Sequence, residues 1–403
     1  MNILMVNKYL YAKGGAETYF LKVGKYFENN GHKVEYFGMY DEKNSVHNSM
    51  NQYTMNMDFH NSGFSKFMYP FKIIYSLEAK KKISKVIDAF KPDIIHLNNI
   101  NFQLTPSVID AAYKKGIPVV QTVHDYQMIC PNHMLYNLKH KKTCEKCIKG
   151  SPWNCMKDNC LHGSKVKSII ASLEAVLYRH NQSYSRVKRY ICPSEFLEKK
   201  LLHMPVYQGK TIKIHNFIEL QETDANMKKG NYVLYFGRLS GEKGFEMFLE
   251  CCKKLKEIQF VVAGTGPLEE KCKDIPNVKF VGFKSGEELK KLIEQAKFSV
   301  YPSIWYENCP LSILESESFG TPVIATNMGG IPELIDNHET GILLKEASEA
   351  CLEKEIKELF YNHEKLEYLS RNCINKREKM ISLEEYCHRI YDIYEAVLAE
   401  NRG

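Results

Sequence analysis

Short apolar runs of strand length alternate with amphipathic stretches of helical length along the first half of the chain. An apolar run at residues 3–7 leads through a loop into a helical stretch at 16–30, and a second strand follows at 33–40. Further strands are predicted at 93–98, 118–124 and 189–192, and further helices at 80–90 and 106–115. Because the strands are apolar throughout, this order predicts a parallel sheet with helices on both faces.

The same alternation begins again near residue 210. Strands are predicted at 213–215, 232–236, 259–263, 278–281, 299–301 and 322–325, with helices at 246–256, 287–295 and 311–319. A last helix at 383–399 has an apolar stripe and is expected to pack back on a domain. A chain of 403 residues is long enough for two cores, so we expect two domains with ligands in the cleft between them.

Charge is distributed unevenly between the two halves. The formal net charge is +7, but residues 1–190 carry 27 Lys and Arg against 14 Asp and Glu, and the remainder is net acidic. A basic half attracts phosphates, anionic lipid headgroups or nucleic acid. A merely lysine-rich composition explains the same numbers.

Targeting signals are not evident in the sequence. The N-terminus has the pattern of a strand, with neither a basic segment before it nor a small-residue cleavage site after it. The longest apolar runs are much shorter than a membrane span. A cytoplasmic protein is therefore expected.

The strongest candidate for chemistry is the segment 305–315, which follows a predicted strand. Pro310 favours the first position of a helix, so the N–H groups from Leu311 onward point out of a helix N-terminus. With the helix dipole, these donors favour an anion such as a pyrophosphate. Glu307 precedes the helix and Glu315 lies inside it, so two carboxylates can flank one ligand. Taken alone, the spacing also fits two surface glutamates.

Further glycine-rich loops follow other predicted strands of this half. They are Gly237-Arg238 with Lys243-Gly244, Ala263-Gly264-Thr265-Gly266-Pro267, Val281-Gly282-Phe283, and Gly329-Gly330 with Glu333. Glycines let a backbone approach a ligand closely, and Arg238 and Lys243 offer two cations to a diphosphate. Since all these loops follow strands of one parallel sheet, we expect them to converge on one side of it.

These motifs, in this order and at these intervals, resemble those of retaining glycosyltransferase family 4 (group 1). The resemblance covers essentially the whole chain and is most specific over residues 232–345; Gly14-Gly15-Ala16-Glu17 and His124-Asp125 support it in the first half. It implies an α/β GT-B fold of two Rossmann-like, doubly wound parallel-sheet domains facing a cleft. The implied segments are an acceptor domain at 1–205 with a Cys-rich insert at 130–163, a donor domain at 206–380, and a C-terminal helix at 381–403.

The resemblance also implies roles for individual residues. Arg238 and Lys243 would neutralise the donor diphosphate, Glu307 would contact the transferred sugar, and His124 would face the anomeric carbon. Glu315 would bind the ribose hydroxyls. The other implied donor-binding positions are Gly14, Gly15, Gly237, Gly264, Gly266, Phe283, Asn308, Cys309, Pro310 and Leu311.

The implied reaction retains the configuration of a sugar that passes from a nucleotide-diphosphate sugar to a glycan or lipid-linked glycan acceptor. A UDP-sugar is favoured over a GDP-sugar, and a role in surface polysaccharide or glycolipid synthesis is expected. No Asp-x-Asp pair stands where a metal-dependent enzyme needs it, so we expect no catalytic metal. Arg238, Lys243 and the helix N-terminus would stabilise the leaving group instead.

Rival functions remain open at this point. An epimerase, hydrolase or phosphorylase acting on sugars could share the architecture. A dehydrogenase is disfavoured, because Gly14-Gly15 follows the first strand in place of Gly-x-Gly-x-x-Gly. A basic nucleic-acid-binding module would leave the converging glycine loops without a role, so no nucleic-acid partner is expected.

Four clustered cysteines form a separate candidate site. They are Cys144, Cys147, Cys155 and Cys160, and two such pairs can surround a structural Zn²⁺. His162 or Cys130 could replace one ligand. Free thiols, an iron–sulfur cluster and disulfides are the alternatives.

Aromatic residues and lysines interleave over residues 64–85. This pattern suits the surface of an anionic membrane and predicts peripheral attachment at its cytoplasmic face. A core helix with a solvated lysine face is the competing interpretation.

Overall fold

The computed structural model describes residues 1–56, 74–220 and 229–402. The chain divides into two compact units, one of residues 1–215 with the segment from 383 onward, the other of residues 216–382. Each unit is built on one six-stranded sheet whose strand pairs are all parallel. The predicted architecture, α/β with two doubly wound parallel sheets, is confirmed.

The strands of the first unit form a large sheet and a small one. They are β1 (Asn2–Val6), β2 (Lys33–Phe37), β3 (Ile94–Leu97), β4 (Val119–Thr122), β5 (Tyr136–Asn137), β6 (Lys142–Thr143), β7 (Arg189–Cys192) and β8 (Thr211–Lys213). The large sheet has the order β2-β1-β3-β4-β7-β8, and β5 pairs with β6 antiparallel. Every residue of β3 and β4 is buried, as expected for strands covered on both faces.

Helices connect these strands. They are α1 (Gly15–Asn29), α2 (Leu77–Phe90), α3 (Ser107–Lys114), α4 (Lys146–Lys149), α5 (Asn154–Lys157), α6 (Lys165–His180) and α7 (Glu195–Leu201). Before α2, α6 and α7, the hydroxyl groups of Ser76, Ser164 and Ser194 accept the N–H of the residue three positions on. Such a cap is worth about 1 kcal/mol, so these helix starts are specified locally.

The second unit repeats the strand–helix alternation. Its strands are β9 (Tyr232–Phe236), β10 (Gln259–Ala263), β11 (Val278–Gly282), β12 (Phe298–Tyr301), β13 (Val323–Thr326) and β14 (Gly341–Leu344). Its helices are α8 (Phe245–Lys254), α9 (Gly286–Gln295), α10 (Leu311–Ser318), α11 (Glu349–Tyr361) and α12 (His363–Arg377). The sheet has the order β11-β10-β9-β12-β13-β14. Its main described core cluster is mostly aliphatic, and within it Phe245 and Phe248 of α8 pack near Phe260.

The C-terminal helix α13 (Leu383–Arg402) belongs to the first unit. Its apolar stripe is buried, and two tyrosines add polar contacts inside that unit. The hydroxyl of Tyr386 lies 2.9 Å from that of Tyr19, and the hydroxyl of Tyr394 lies 2.6 Å from Nδ1 of His96. Because these buried polar groups need partners, they fix the position of α13 along the unit.

Two strands of the large sheets differ from the sequence prediction, and the short strands β5 and β6 were not predicted. The strand predicted at 213–215 as the start of the second half is β8, at the edge of the first sheet and paired with β7. Strand β7 is therefore not the last strand of the first half. Strand β14 was not predicted, and it pairs with β13 at the edge of the second sheet.

In the described part of the chain, no helix combines the length and apolar character that crossing a bilayer requires. Of the segment predicted to meet a membrane, residues 64–73 lie outside the described residues. Its lysines from Lys80 onward lie on α2. There the ammonium of Lys82 donates to the carbonyl oxygen of Tyr53 and to Glu78.

Candidate functional site

The strand order of the second sheet places a topological switch point between β9 and β12. From β9 the chain moves outward through β10 and β11, and it then returns to the other side of β9 as β12. Ligands of open parallel sheets bind outside the carboxyl ends of the strands at such a point. The glycine-rich loops predicted from the sequence follow strands at this edge.

The loops after β9 and β10 pack so closely that only glycine fits. Gly264 has φ of 145°, and a Cβ atom there would lie 1.9 Å from the carbonyl oxygen of Gly237. A Cβ atom on Gly266 would lie 2.4 Å from the carbonyl oxygen of Leu239, whose own N–H donates to the oxygen of Thr265. These glycines therefore shape the edge at which the candidate site lies.

The loop after β13 holds the backbone of Glu307. Gly329 has φ of 66°, and a Cβ atom there would lie 2.3 Å from the carbonyl oxygen of Glu307. The N–H of Gly330 donates to that same oxygen at 2.7 Å. The Gly-Gly pair thus fixes the position of Glu307 from a neighbouring strand end.

The side chains of Lys243 and Glu307 form an ion pair at the switch point. Lys243 Nζ lies 2.7 Å from Oε1 of Glu307, and it also donates to the Tyr301 hydroxyl at 3.1 Å. The side chain of Glu307 is 7% exposed and that of Lys243 is 20% exposed. In this largely buried setting, removal of one partner would leave the other charge uncompensated.

Three residues to which the sequence analysis gave no role hold the Glu307 carboxylate, and of these only Trp305 lies in the predicted segment 305–315. Ser303 Oγ donates to Oε1 at 2.8 Å, and Nε1–H of Trp305 donates to the same oxygen at 2.6 Å. Burial and the nearby carboxylate raise the pKa of Tyr301 well above its ordinary value. All three lie within six residues of Glu307, so a polar cluster at the end of a strand was the available signal.

Arg238 is the second predicted cation of the site. It follows Gly237 directly after β9, and its side chain is exposed. Among the described residues its guanidinium makes no ion pair or hydrogen bond, whereas the ammonium of Lys243 pairs with Glu307. Its carbonyl oxygen accepts the Tyr235 hydroxyl, which anchors the backbone at this position.

Helix α10 begins at Leu311, and Pro310 is the residue before it instead of its first helical residue. The N–H of Ile313 bonds back to the oxygen of Pro310. The first N–H groups of the helix thus lie at its open start, where the helix dipole favours an anion. A Cβ atom on Gly237 would lie 4.0 Å from Ser312 Oγ, so the loop after β9 passes the first turn of α10.

The remaining positions predicted to bind the donor lie on neighbouring loops or, for Glu315, within α10. Cys309 is buried, its carbonyl oxygen accepts Nδ2–H of Asn216 at 3.0 Å, and burial raises the pKa of its thiol to about 12. Asn308 is partly buried, and Glu315 is partly exposed within α10. Phe283 follows β11 and is 71% exposed, as a residue that meets a flat ligand face would be.

In the first unit, Gly14 and Gly15 connect the loop after β1 to α1. Gly14 is extended and precedes the helix, and its carbonyl oxygen accepts the N–H of Thr18. A Cβ atom on Gly14 would lie 3.4 Å from Oε2 of Glu17, which is buried. The small residue therefore leaves the start of α1 open.

His124 follows β4 and is held in one orientation. Its Nε2 lies 2.8 Å from Oδ1 of Asn98, which requires the proton on Nε2. The Tyr19 ring packs edge-on at 4.9 Å between centroids. Burial lowers the pKa of His124 to about 4, partly offset by Asp125. The imidazole is therefore neutral at pH 7.

The structure thus brings together two groups of predicted residues, one in each unit. In the second unit, the glycine loops, Lys243, Glu307 and the start of α10 share one edge of the sheet. In the first unit, Gly14, Gly15 and His124 all follow strands at the carboxyl edge of the other sheet. The first group can receive an anion and a hydroxyl-bearing ligand, and the second offers a neutral imidazole.

The predicted zinc site is not supported. Cys147, Cys155 and Cys160 are buried in a small cluster with Ala171. A hydrogen bond between Cys155 and Cys160 raises the pKa of the first thiol and lowers that of the second, while burial raises the pKa of Cys147 to about 11.

Across the described residues, no group of three or more His, Cys, Asp or Glu side chains has an arrangement able to hold a metal ion. The cysteines predicted as ligands, Cys144 included, therefore do not fit Zn²⁺. The alternative ligand Cys130 is also engaged, because its thiol donates to Oδ1 of Asn132 at 2.9 Å. The thiols pack against each other and against apolar side chains instead.

Two family models match the chain in succession. Residues 13–222 match the family described as Glycosyltransferase Family 4. Residues 217–376 match the family described as Glycosyl transferases group 1. The first match alone spans half of the chain.

Curated relatives are similar at moderate identity. A 42.6 kDa protein in the cps region of Klebsiella pneumoniae is 26% identical over 357 residues, which cover 83% of this chain and 87% of that protein. The amylovoran biosynthesis glycosyltransferase AmsK of Erwinia amylovora is 27% identical over 215 residues, which cover 47% of this chain and 52% of that protein.

Solved structures share the fold over nearly the whole chain. Sucrose-phosphate synthase from Thermosynechococcus elongatus superposes with a TM-score of 0.73 at 16% identity, covering 99% of each chain. HepE of Anabaena, solved in complex with UDP, superposes with a TM-score of 0.70 at 15% identity, covering 98% of this chain and 100% of HepE.

Proposed function

Because this chain belongs to glycosyltransferase family 4 and has the GT-B fold, as its motifs predicted, we propose that it transfers a hexosyl group from a UDP-sugar to a glycan or lipid-linked glycan with retention of configuration. The observation that carries this proposal is the Lys243–Glu307 ion pair at the switch point of the second sheet. It places a cation and a carboxylate where a diphosphate and its sugar would meet.

The diphosphate is received by positive charge and backbone donors. Arg238, which is exposed after β9, and Lys243 supply the two cations. The first N–H groups of α10, from Leu311 onward, supply donors aligned with the helix dipole. Donors fixed in advance where charge develops stabilise a leaving group most effectively, and this set supplies that stabilisation without a metal ion.

The carboxylate of Glu307 accepts hydroxyl groups of the transferred sugar, and Glu315 accepts those of ribose. The bond between the anomeric carbon and the phosphate oxygen breaks as the acceptor oxygen bonds to the same face of that carbon. The acceptor proton passes to the departing phosphate, which becomes the leaving UDP. The neutral imidazole of His124 faces the donor sugar.

UDP as the carrier is supported by HepE, a protein of the same fold solved with UDP. A role in polysaccharide synthesis is supported by the similarity to AmsK, a glycosyltransferase of amylovoran biosynthesis. These names belong to those proteins. We propose the same nucleotide and the same class of pathway for this chain.

Peripheral attachment to an anionic membrane is a further part of the proposal. It depends on the interleaved aromatic residues and lysines over residues 64–85. Liposome flotation with and without phosphatidylglycerol tests it. Enrichment only with the anionic lipid is expected, and equal recovery on both liposomes would contradict it.

A screen of nucleotide diphosphate sugars by thermal shift tests the function most broadly. A ligand that binds only the native state raises its melting temperature, so UDP and one UDP-sugar should raise it above GDP, ADP and buffer. Acceptor-dependent release of UDP should then follow with that sugar. Release or epimerisation at the same rate without any acceptor would favour a hydrolase or an epimerase instead.

A further inference from the structure

A cavity lies in the first unit at the sheet edge opposite His124. It has a volume of about 650 Å³, and residues just before or at the start of β4, β7 and β8 line it, including Pro118, Lys188 and Lys210. A four-residue strand such as β4 is about 13 Å long. The cavity is therefore separated from His124, which follows the other end of β4, by the length of the strand.

The lining of this cavity is strongly basic. Arg186, Lys188, Arg189 and Lys210 contribute four cations, and Glu400 is the one acidic residue of the lining. Lining residues in the described chain thus leave an excess of three positive charges around one concave surface. Such a surface attracts an anion.

Two of these cations already have acidic partners. Arg189 pairs with Glu400, and Arg186 pairs with Asp110. Lys210 instead donates to backbone carbonyl oxygens, and burial together with the charges of Lys188 and Arg189 lowers its pKa. A bound anion would relieve this repulsion.

Lys188 is the cation best placed to meet a ligand. Its backbone N–H bonds to the oxygen of Val119, which fixes it beside β4. Its ammonium makes no ion pair or hydrogen bond with another described residue, and the residue is only partly buried. The cavity therefore offers at least one cation with its hydrogen-bonding capacity available.

An apolar cavity adjoins the basic one. Its volume is about 570 Å³, and it shares Gln182, Ser185 and Lys210 with the first. The rest of its lining is mostly apolar and includes Met128, Ile129, Ala175, Met204, Pro205 and Val206. A basic cavity beside an apolar one is complementary to a ligand with an anionic head and an apolar chain.

From this juxtaposition we infer that the first unit binds a lipid phosphate away from the donor site, with the phosphate among Arg186, Lys188, Arg189 and Lys210 and the chain in the adjoining apolar cavity. This site does not depend on the proposed transfer reaction, because none of its residues belongs to the donor-binding loops. Charge complementarity selects the phosphate, and burial of apolar surface selects the chain.

Calorimetric titration of the full chain with three soluble probes tests the inference. The probes are dihexanoyl phosphatidic acid, glycerol 3-phosphate, which lacks the chains, and dihexanoylglycerol, which lacks the phosphate. The first should bind at least tenfold more tightly than either of the others. If glycerol 3-phosphate bound as tightly as dihexanoyl phosphatidic acid, the protein would not bind the acyl chains. If dihexanoylglycerol bound as tightly, the protein would not recognise the phosphate.

Variants place the binding in the cavities. Lys188→Glu should weaken binding of dihexanoyl phosphatidic acid at least tenfold, with Lys188→Gln as the milder change. Lys165→Glu, an equal charge reversal at an exposed position of the same unit, should change it less than twofold. Ala175→Phe should reduce binding of the lipid phosphate to the level of glycerol 3-phosphate, which it should still bind. Parental affinity in both Lys188 variants would overturn the inference.

Discussion

Lys243, Ser303 and Trp305 all donate to a single carboxylate oxygen of Glu307. We propose two roles for this carboxylate: it pairs with Lys243 before a ligand binds, and it accepts hydroxyl groups of the sugar afterwards. When a diphosphate arrives, Lys243 gains a second anionic partner. The ion pair thus keeps the Lys243 ammonium at the site and compensates its charge before a ligand binds. With Lys243 shared between the two anions, we expect the Glu307 carboxylate to accept hydroxyl groups of the sugar.

Glu307→Gln separates these roles. The amide cannot pair with Lys243, which becomes more available to the diphosphate, so UDP affinity should stay equal or increase. The rate of sugar transfer should fall about 100-fold, the loss typical of removing one group that stabilises the transition state. Calorimetry with UDP and initial rates with the UDP-sugar from the screen measure the two effects.

Glu250→Gln is the matched control, because Glu250 is an exposed partner of Lys253 in the same unit. It should leave both quantities at parental values. A tenfold loss of UDP affinity in Glu307→Gln would show that the carboxylate serves nucleotide binding instead of the sugar.

Glu174 makes the stability of the first unit depend on pH. Burial raises its pKa to about 8, so at neutral pH the folded state holds a proton that the unfolded state has released. The unfolding free energy should therefore fall as pH rises from about 4.5 to about 8. Since one pKa unit corresponds to about 1.4 kcal/mol, Glu174→Gln should stabilise the unit at pH 8 by roughly 2–4 kcal/mol and flatten this dependence.

Urea unfolding followed by Trp153 fluorescence in a Trp305→Phe background measures this effect, since the chain has two tryptophans, one in each unit. Glu195→Gln, at an exposed position of the same unit, should reproduce the parental pH profile. An unchanged profile in Glu174→Gln would show that the carboxyl is ionised in the folded protein.

At the scale of elements, the glycines that follow β10 and end β11 are needed for different reasons, and only the first lies where the loop after β10 packs on the loop after β9. Gly264 and Gly282 both have positive φ, but a Cβ atom meets backbone only at Gly264. Gly282→Ala should cost about 1 kcal/mol, the price of a left-handed alanine. Gly264→Ala should cost clearly more, because the two loops must separate.

Urea unfolding followed by Trp305 fluorescence in a Trp153→Phe background compares the two variants within the second unit. Gly264→Ala should also weaken UDP binding, because separated loops move Gly237 and its neighbour Arg238. Equal destabilisation by the two substitutions would mean that the close approach of the loops adds no energetic constraint.

The sequence predicted most elements because buried parallel strands are continuous apolar runs. It misplaced β8, whose sequence Thr-Ile-Lys is short and polar at an edge. Only the pairing with β7 assigns that strand to the first sheet. It missed β14, although Ile342 and Leu344 are buried, because a four-residue run after a glycine resembles a turn.

Much of the candidate site was also predictable, since glycine loops after parallel strands must share an edge. The ion pair of Lys243 and Glu307 was not, because it joins residues 64 positions apart. The sequence gives spacing but not the direction of side chains. The zinc prediction failed for the same reason, because the thiols are close in sequence but do not form a ligand set.

At the scale of the whole molecule, the two units differ in net charge. Residues 1–215 with 383–403 carry 33 Lys and Arg against 21 Asp and Glu, and residues 216–382 carry 22 against 27. The loops proposed to bind the donor nevertheless lie in the acidic unit, so Arg238 and Lys243 are local cations against an acidic background. Their contribution to binding a diphosphate should therefore be large.

We propose above all that Arg238, Lys243 and the start of α10 receive the leaving diphosphate. The most direct test is calorimetric titration of UDP into the variant Arg238→Ala with Lys243→Ala. The control is Lys253→Ala with Lys357→Ala, which removes two exposed cations from the same unit. Uridine serves as the probe that lacks the diphosphate.

We expect at least a 100-fold loss of UDP affinity in the Arg238 and Lys243 double variant and a change of less than threefold in the control. Both variants should bind uridine with the same weak affinity. Parental affinity for UDP in the Arg238 and Lys243 double variant would contradict this proposal.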